Sequence, residues 1–254
     1  MTYAMRWAAA LAVVVGGFLA YSLPPYLTGG TRVPATFAWH YPLLVGHVAL
    51  GSIATVAAVV QIWPGLRARH RVLHRRSGRV YVVTAVPAAL SAVVIGALTP
   101  FGPLLAVSNV VLAVLWLWFT VAGYRAIRSG RVSDHRRHMV RSATLALSII
   151  TNRIWAPVLF MMCYPLRDSI FGGNEEHYLW FVAGLGGWLG WLVPLTAVQW
   201  WLNRRPVNCI VVNSSARGDE TGVDCGPRSG QRRRASGRGR YGNRIQRQDR
   251  TGHP

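Results

Sequence analysis

The sequence predicts an all-α, polytopic membrane helix bundle of about six transmembrane helices, with both termini inside and a disordered basic tail. Three observations predict it. Hydrophobic residues make up 52% of the 254-residue chain and charged residues only 14%, whereas a soluble domain usually carries about 25% charge. Six apolar stretches reach the roughly 17–25 residues that a bilayer span needs. Between them arginine alternates from loop to loop, dense in two connections and sparse in three.

The stretches run over about Trp7–Tyr26, Pro42–Trp63, Val80–Leu98, Pro103–Tyr124, Met139–Cys163 and Tyr178–Leu202. The first follows Met1–Arg6 and so imitates a signal peptide. It continues to about Leu23, ends in Pro24-Pro25 and lacks a small-x-small cleavage site, and we read it as a retained helix. The connection after the second stretch reads RARHRVLHRRSGR, and the one after the fourth reads RAIRSGRVSDHRRHMVR. The alternate connections hold Arg32, then no arginine, then Arg167 beside Asp168, Glu175 and Glu176. Basic loops stay on the cytoplasmic side, so both termini are expected there, in the inner membrane of a bacterium. Trp39, Trp63, Trp180, Trp200 and Trp201 fall near the expected interfaces, where indole rings settle.

The formal charge of +20 would suggest nucleic acid in a soluble protein. Here all 28 basic residues are arginine, a composition that reflects codon usage more than phosphate recognition, and no specific nucleic-acid partner is expected. From Arg204 onward the chain carries 12 arginines, 4 acidic residues and little apolar content. Such a segment buries too little surface to offset chain entropy. Residues 1–203 therefore read as the membrane domain and 204–254 as a disordered tail. Cys163, Cys209 and Cys225 show no metal-binding or disulfide spacing.

Enzyme classes fall away on the missing groups. Asp134 is the only acidic residue between Met1 and Pro165, so carboxylate pairs for acid–base chemistry are absent from the core. GxSxG, HExxH and P-loop motifs are absent too.

Polar side chains within a bilayer are expensive. On the fifth stretch Arg141, Thr144, Ser148 and Asn152 share a face, with Arg153 beside them. Arg153 lies roughly ten residues from the outer end, or about 15 Å at 1.5 Å per residue. A central arginine is disfavoured by about 2.5–3.5 kcal/mol on insertion scales, so this helix should face the bundle interior. On the second stretch His47, Gly51, Ala54, Ala58 and Gln61 share a face of mostly small residues. One reading is a polar chamber in which His47, Gln61, Asn152 and Arg153 hold a small anionic or lipid ligand. The structural alternative has Arg153 satisfied by backbone carbonyls and Asn109, with His47 as an interhelical donor.

His40 and His177 lie near outer helix ends; His70, His74, His135 and His138 lie near inner ones. Histidines at helix mouths are the kind of residue that supplies axial ligands to b-type haem. This motivates a redox alternative, haem or quinone bound through His47, His74 and His135. Gly186 and Gly190 form a GxxxG that permits close packing inside the bundle or in a self-associated pair. An accessory subunit of a membrane complex is a third reading.

The runs HVALGSIATVAAVVQ (His47–Gln61), LHRRSGRVYV (Leu73–Val82), DHRRHMVRS (Asp134–Ser142) and NRIW (Asn152–Trp155) resemble a family of predicted bacterial membrane proteins catalogued as domain of unknown function 2306. The resemblance covers roughly His40–Phe160. It implies two inner-face motifs around a four-helix core. The first comprises His74, Arg75, Gly78, Arg79 and Tyr81; the second comprises His135, Arg136, Met139, Arg141 and Ser142. The interior arginine corresponds to Arg153. His138 departs from the tryptophan usual at its position. The resemblance implies no activity. Read from the residues alone, the inner arginines anchor helices to anionic headgroups at about 1 kcal/mol each. Gly78 and Tyr81 in turn suggest a turn that an anionic ligand such as a lipid phosphate can approach closely.

Overall fold

The computed structural model describes residues 3–204, 207–212 and 222–227 of the chain. These fall into two units, Met1–Arg205 and Pro206–Pro254.

The first unit contains six long helices: α1 (Tyr3–Ser22), α3 (His40–Ile62), α5 (Arg71–Ala97), α6 (Pro103–Arg128), α7 (Val132–Met162) and α9 (Glu175–Asn203). Short helices α2 (Pro24–Leu27), α4 (Pro64–Arg69) and α8 (Leu166–Ser169) fill connections. The six long ones are each long and apolar enough to cross a membrane, so the expected six-span bundle is present. Two boundaries differ from the expectation in an instructive way. The hydrophobic stretches expected from Val80 and Met139 belong to helices that begin at Arg71 and Val132. Both arginine-rich motifs are therefore helical rather than looped. Arginine is a good helix former, and bilayer thickness limits the apolar section of a helix, not the helix itself.

Helix α5 packs between α3 and α6, α7 packs against both α6 and α9, and α6 also meets α9. By contrast α3 and α7 touch sparingly, and α1 leans chiefly on α3 and α4. The core is largely alanine: Ala54, Ala57 and Ala58 of α3, Ala85, Ala88 and Ala89 of α5, and Ala143 of α7, with Trp116, Leu145 and Trp191 filling the space between them. Lipid tails are as apolar as side chains, so burial of apolar surface does not drive helix association here. Small residues instead let backbones approach for dispersion contacts. Large apolar side chains point outward, as with Val83 (71% exposed) and Trp118 (64%), a surface suited to lipid and unfavourable in water.

Close approach is carried furthest by α9. A Cβ on Gly190 would lie 2.9 Å from the Cβ and 3.0 Å from the Cα of Asn152 on α7. One on Gly186 would meet Leu159 and Ala156 of the same helix. The GxxxG face is thus filled from within the chain, by α7.

Polar groups fasten the helices at defined heights. Tyr81 of α5, Thr120 of α6 and Ser142 of α7 are 1%, 1% and 0% exposed. Thr120 Oγ1 gives its proton to the Trp116 carbonyl (2.7 Å), which can only accept. It therefore accepts from Ser142 Oγ (2.7 Å), which in turn accepts from Tyr81 Oη (2.6 Å). Trp116 Nε1–H donates to Tyr81 Oη (3.0 Å) and closes the ring. Every hydroxyl proton is used. Nearer the arginine-rich end, Gln61 Nε2 donates to His74 O (2.5 Å) and Ser77 Oγ (2.6 Å) across α3 and α5.

In the second unit β1 (Val207–Val212) pairs antiparallel with β2 (Gly222–Pro227), Cys209 opposite Cys225. β-branched Val207, Ile210, Val211 and Val212 favour extended backbone in the first strand. The expectation of a disordered tail over 204–254 falls mostly on residues outside those described.

Tyr81→Phe should lower the thermal midpoint in mild detergent by several degrees, since it strands Trp116 Nε1–H at a cost of about 1–3 kcal/mol. Arg75→Gln, on an exposed position of the same motif, should stay within about 0.5 kcal/mol of wild type. Equal shifts for the two would show that the ring is not what fastens α5 to α7. Gly190→Val should destabilise by about 1–3 kcal/mol through overpacking against Asn152. Gly17→Ala, with open space around it, is the matched control and should leave the midpoint in place.

Candidate functional site

Where α3 and α7 fail to close on one another, a cavity of about 300 Å³ remains. Residues from α3, α5, α6, α7 and α9 line it, and the last turn of α1 with Arg32 of the loop between α2 and α3 completes the wall. Its floor rests on the buried ring of hydroxyls, because Trp116 belongs to both. Trp191 also lines it, with its own Nε1–H committed to Ser108 Oγ (3.0 Å). Both indoles thus offer the cavity ring surface instead of a donor.

Four polar groups on the wall of this chamber have no protein hydrogen-bond partner among the described residues. His47 Nδ1 lies 2.9 Å from Ala88 O and 3.2 Å from Ser91 Oγ. Because a carbonyl only accepts, Nδ1 carries the proton and Nε2 of the neutral ring keeps its lone pair. Nε2 has no partner among the described residues. Neither do the side-chain amides of Asn109 and Asn152, nor the guanidinium of Arg153. Arg153 is exposed on one side, at the edge of the cavity. Other arginines in the fold do find partners. Arg167 bonds Glu175 Oε1 (2.7 Å) and Tyr164 Oη (3.2 Å), and Arg131 bonds Asp134 (3.2 Å). No carboxylate lines the cavity. A cation and two amides on a cavity wall without protein partners call for water or a ligand to satisfy them.

The structure brings together three of the four residues expected to form a chamber: His47, Asn152 and Arg153. Gln61 lies away from them, bonded between α3 and α5. Of the structural alternative, the interhelical donor role of His47 is present, while Arg153 bonds neither a carbonyl nor Asn109. The polar face of α7 divides: Ser148 and Asn152 line the cavity, whereas Arg141 Nε bonds Gln199 Oε1 (3.0 Å) and its guanidinium stands 5.5 Å from the Phe119 ring centroid. The contributions of α1 and Arg32 were not legible in the sequence. An apolar helix carries no mark of which neighbour it leans on, and Arg32 read only as a loop residue.

The residues of the two arginine-rich motifs serve mainly as fasteners. Tyr81 of the first motif bonds Ser142 of the second. Gly78 lets Gln61 approach, since a Cβ there would lie 3.3 Å from Gln61 Nε2. His135 Nδ1 donates to Gly123 O (2.8 Å). Arg75 and Arg79 are exposed, while Arg136 is half-buried and partnered. Beside them Arg69, Arg71 and Arg76 line a shallow basic cleft of about 460 Å³ at the start of α5. His47, His74 and His135 do not converge: of the three, only His47 reaches the cavity. No cluster of three or more metal-ligating side chains occurs among the described residues.

No curated protein and no solved structure matches the chain. The sequence profile of a family described as predicted membrane protein, DUF2306, matches residues 44–199. The match runs from the start of α3 into the end of α9, takes in every motif residue above and leaves α1 outside. It spans more than half of the sequence, and the chain belongs to the DUF2306 family of predicted membrane proteins.

Proposed function

We propose that this membrane protein binds a small anionic or lipid ligand in the cavity between α3 and α7. One observation carries the reading: Arg153 lines a cavity between membrane-spanning helices with no counter-ion and no hydrogen-bond partner among the described residues. A guanidinium presents a planar fork of donors matched to carboxylate or phosphate oxygens. Asn109 and Asn152 would complete the anion's hydrogen bonds, and His47 Nε2 would accept from a ligand hydroxyl. The indole surfaces and apolar walls suit the rest of the molecule, and the volume lies at the small end of ligand pockets. On this reading the protein is a binding protein of the bacterial cytoplasmic membrane, both termini face the cytoplasm, and the cavity lies in the outer half of the bilayer. Anionic lipid headgroups would also gather at the basic cleft on the inner face.

A second reading has one observation of its own. His47 is anchored through Nδ1 and turns Nε2 towards the cavity, as a haem ligand or a quinone partner would. No second histidine shares the cavity, so the anionic ligand is preferred.

Arg153→Gln should fold as well as wild type or better, because it removes a charge disfavoured by about 2.5–3.5 kcal/mol. The variant should lose the anionic species that mass spectrometry finds with the wild-type protein. His47→Phe should lower the thermal midpoint by losing the bond to Ala88, and should weaken ligand retention as well. An unchanged set of co-purified anions in Arg153→Gln would defeat the proposal. A Soret band in the wild type that disappears in His47→Phe would replace it with the haem reading.

A further inference from the structure

Arg153 is one of two arginines lining the cavity. The other, Arg32, stands on the loop between α2 and α3. Its guanidinium is folded back onto the end of α1: Nη2 donates to Tyr21 O (2.8 Å), Nη1 to Tyr21 Oη (3.3 Å), and Cζ lies 4.4 Å from the Tyr21 ring centroid. All of these partners are neutral. The cavity therefore receives two positive charges, from α7 and from the α2–α3 loop, against no carboxylate among its lining residues. A ligand with two negative charges would balance it, and a phosphate accepts bidentate arginine contacts from two sides. A phosphate dianion adds to such bonds a charge–charge attraction that the neutral acceptors of Tyr21 do not offer.

The wall beneath Arg32 is apolar. Phe18, Leu19 and Leu23 of α1 and its end face the cavity, α1 is the least buried of the six spans, and it is joined to α3 but to no comparable extent to α7. That is the place where an acyl or alkyl chain can pass from the cavity into surrounding lipid.

We propose that Arg32 is the second cation of the site, and that the ligand is an amphiphilic phosphomonoester. Its headgroup lies between Arg32 and Arg153, with its chain against α1. Arg32 and α1 lie outside residues 44–199, the part of the chain that the family profile matches. The inference rests on the proposed binding function and specifies the chemistry of its ligand.

The test is titration of the full-length protein in neutral detergent with dodecyl phosphate, dodecanoate and inorganic phosphate, above the second phosphate ionisation at about pH 6. Dodecyl phosphate should bind saturably and about tenfold more tightly than dodecanoate, the worth of one charge-assisted contact, and inorganic phosphate should not compete. Arg32→Gln should bring the two amphiphiles to equal affinity without weakening dodecanoate, Arg32→Lys should keep most of the preference, and Arg153→Gln should weaken both. If Arg32→Gln keeps the preference while Arg153→Gln weakens both ligands, the role of Arg32 is overturned and the binding function stands. Competition by inorganic phosphate at equal affinity overturns the amphiphile. If neither amphiphile binds the wild type, or Arg153→Gln changes neither, the binding function itself fails.

Discussion

The ring that runs from Trp116 Nε1–H through Tyr81, Ser142 and Thr120 to the Trp116 carbonyl sets the geometry on which the remaining structure depends. In a bilayer no water competes for these groups, and an alternative packing that left one of them open would be disfavoured by its full desolvation. Alanine faces alone specify height weakly, because one small residue resembles the next along a helix. A directed ring with every proton assigned admits one relative height of α5, α6 and α7. It also fixes Trp116, and with it the floor of the cavity.

The cavity follows from what the alanine packing leaves out. Helices α5, α6, α7 and α9 pack around their neighbours, with Gly190 bringing α9 hard against Asn152. On the other side α3 follows α5 and reaches α7 only sparingly. The space between them is lined by residues with unspent hydrogen-bonding capacity. The hydroxyls of Ser52 and Thr55 on the cavity wall, like those of Thr84 and Thr144 away from it, are turned back onto carbonyls of their own helices. Asn109, Asn152 and Arg153 have no such local outlet, which is why they distinguish this region from the rest of the bundle.

Arginine serves three different ends within one composition. At the starts of α5 and α7 it extends the helices beyond their apolar sections. At Arg141 it ties α7 to α9 through Gln199, over the ring of Phe119. At Arg153 it faces a cavity without a partner. Nothing in the residue type separates these cases; the separation lies in what surrounds each guanidinium.

The sequence by itself determined the class of fold and the six spans, because hydrophobic length answers to the bilayer, a solvent common to every membrane protein. It also brought out Asn152 and Arg153 as costly, since their expense is a property of depth alone. Only the tertiary structure decided that Gln61 belongs to a fastening between α3 and α5 while His47, fourteen residues earlier on the same face, borders a cavity. The same holds for the motif residues Tyr81 and Ser142, which proved to be two halves of one bond. Helical periodicity shows which residues share a face, but not which neighbour that face meets. The neighbour is chosen by packing across the whole bundle, and that choice makes Arg32 of an otherwise unremarked loop a wall of the site.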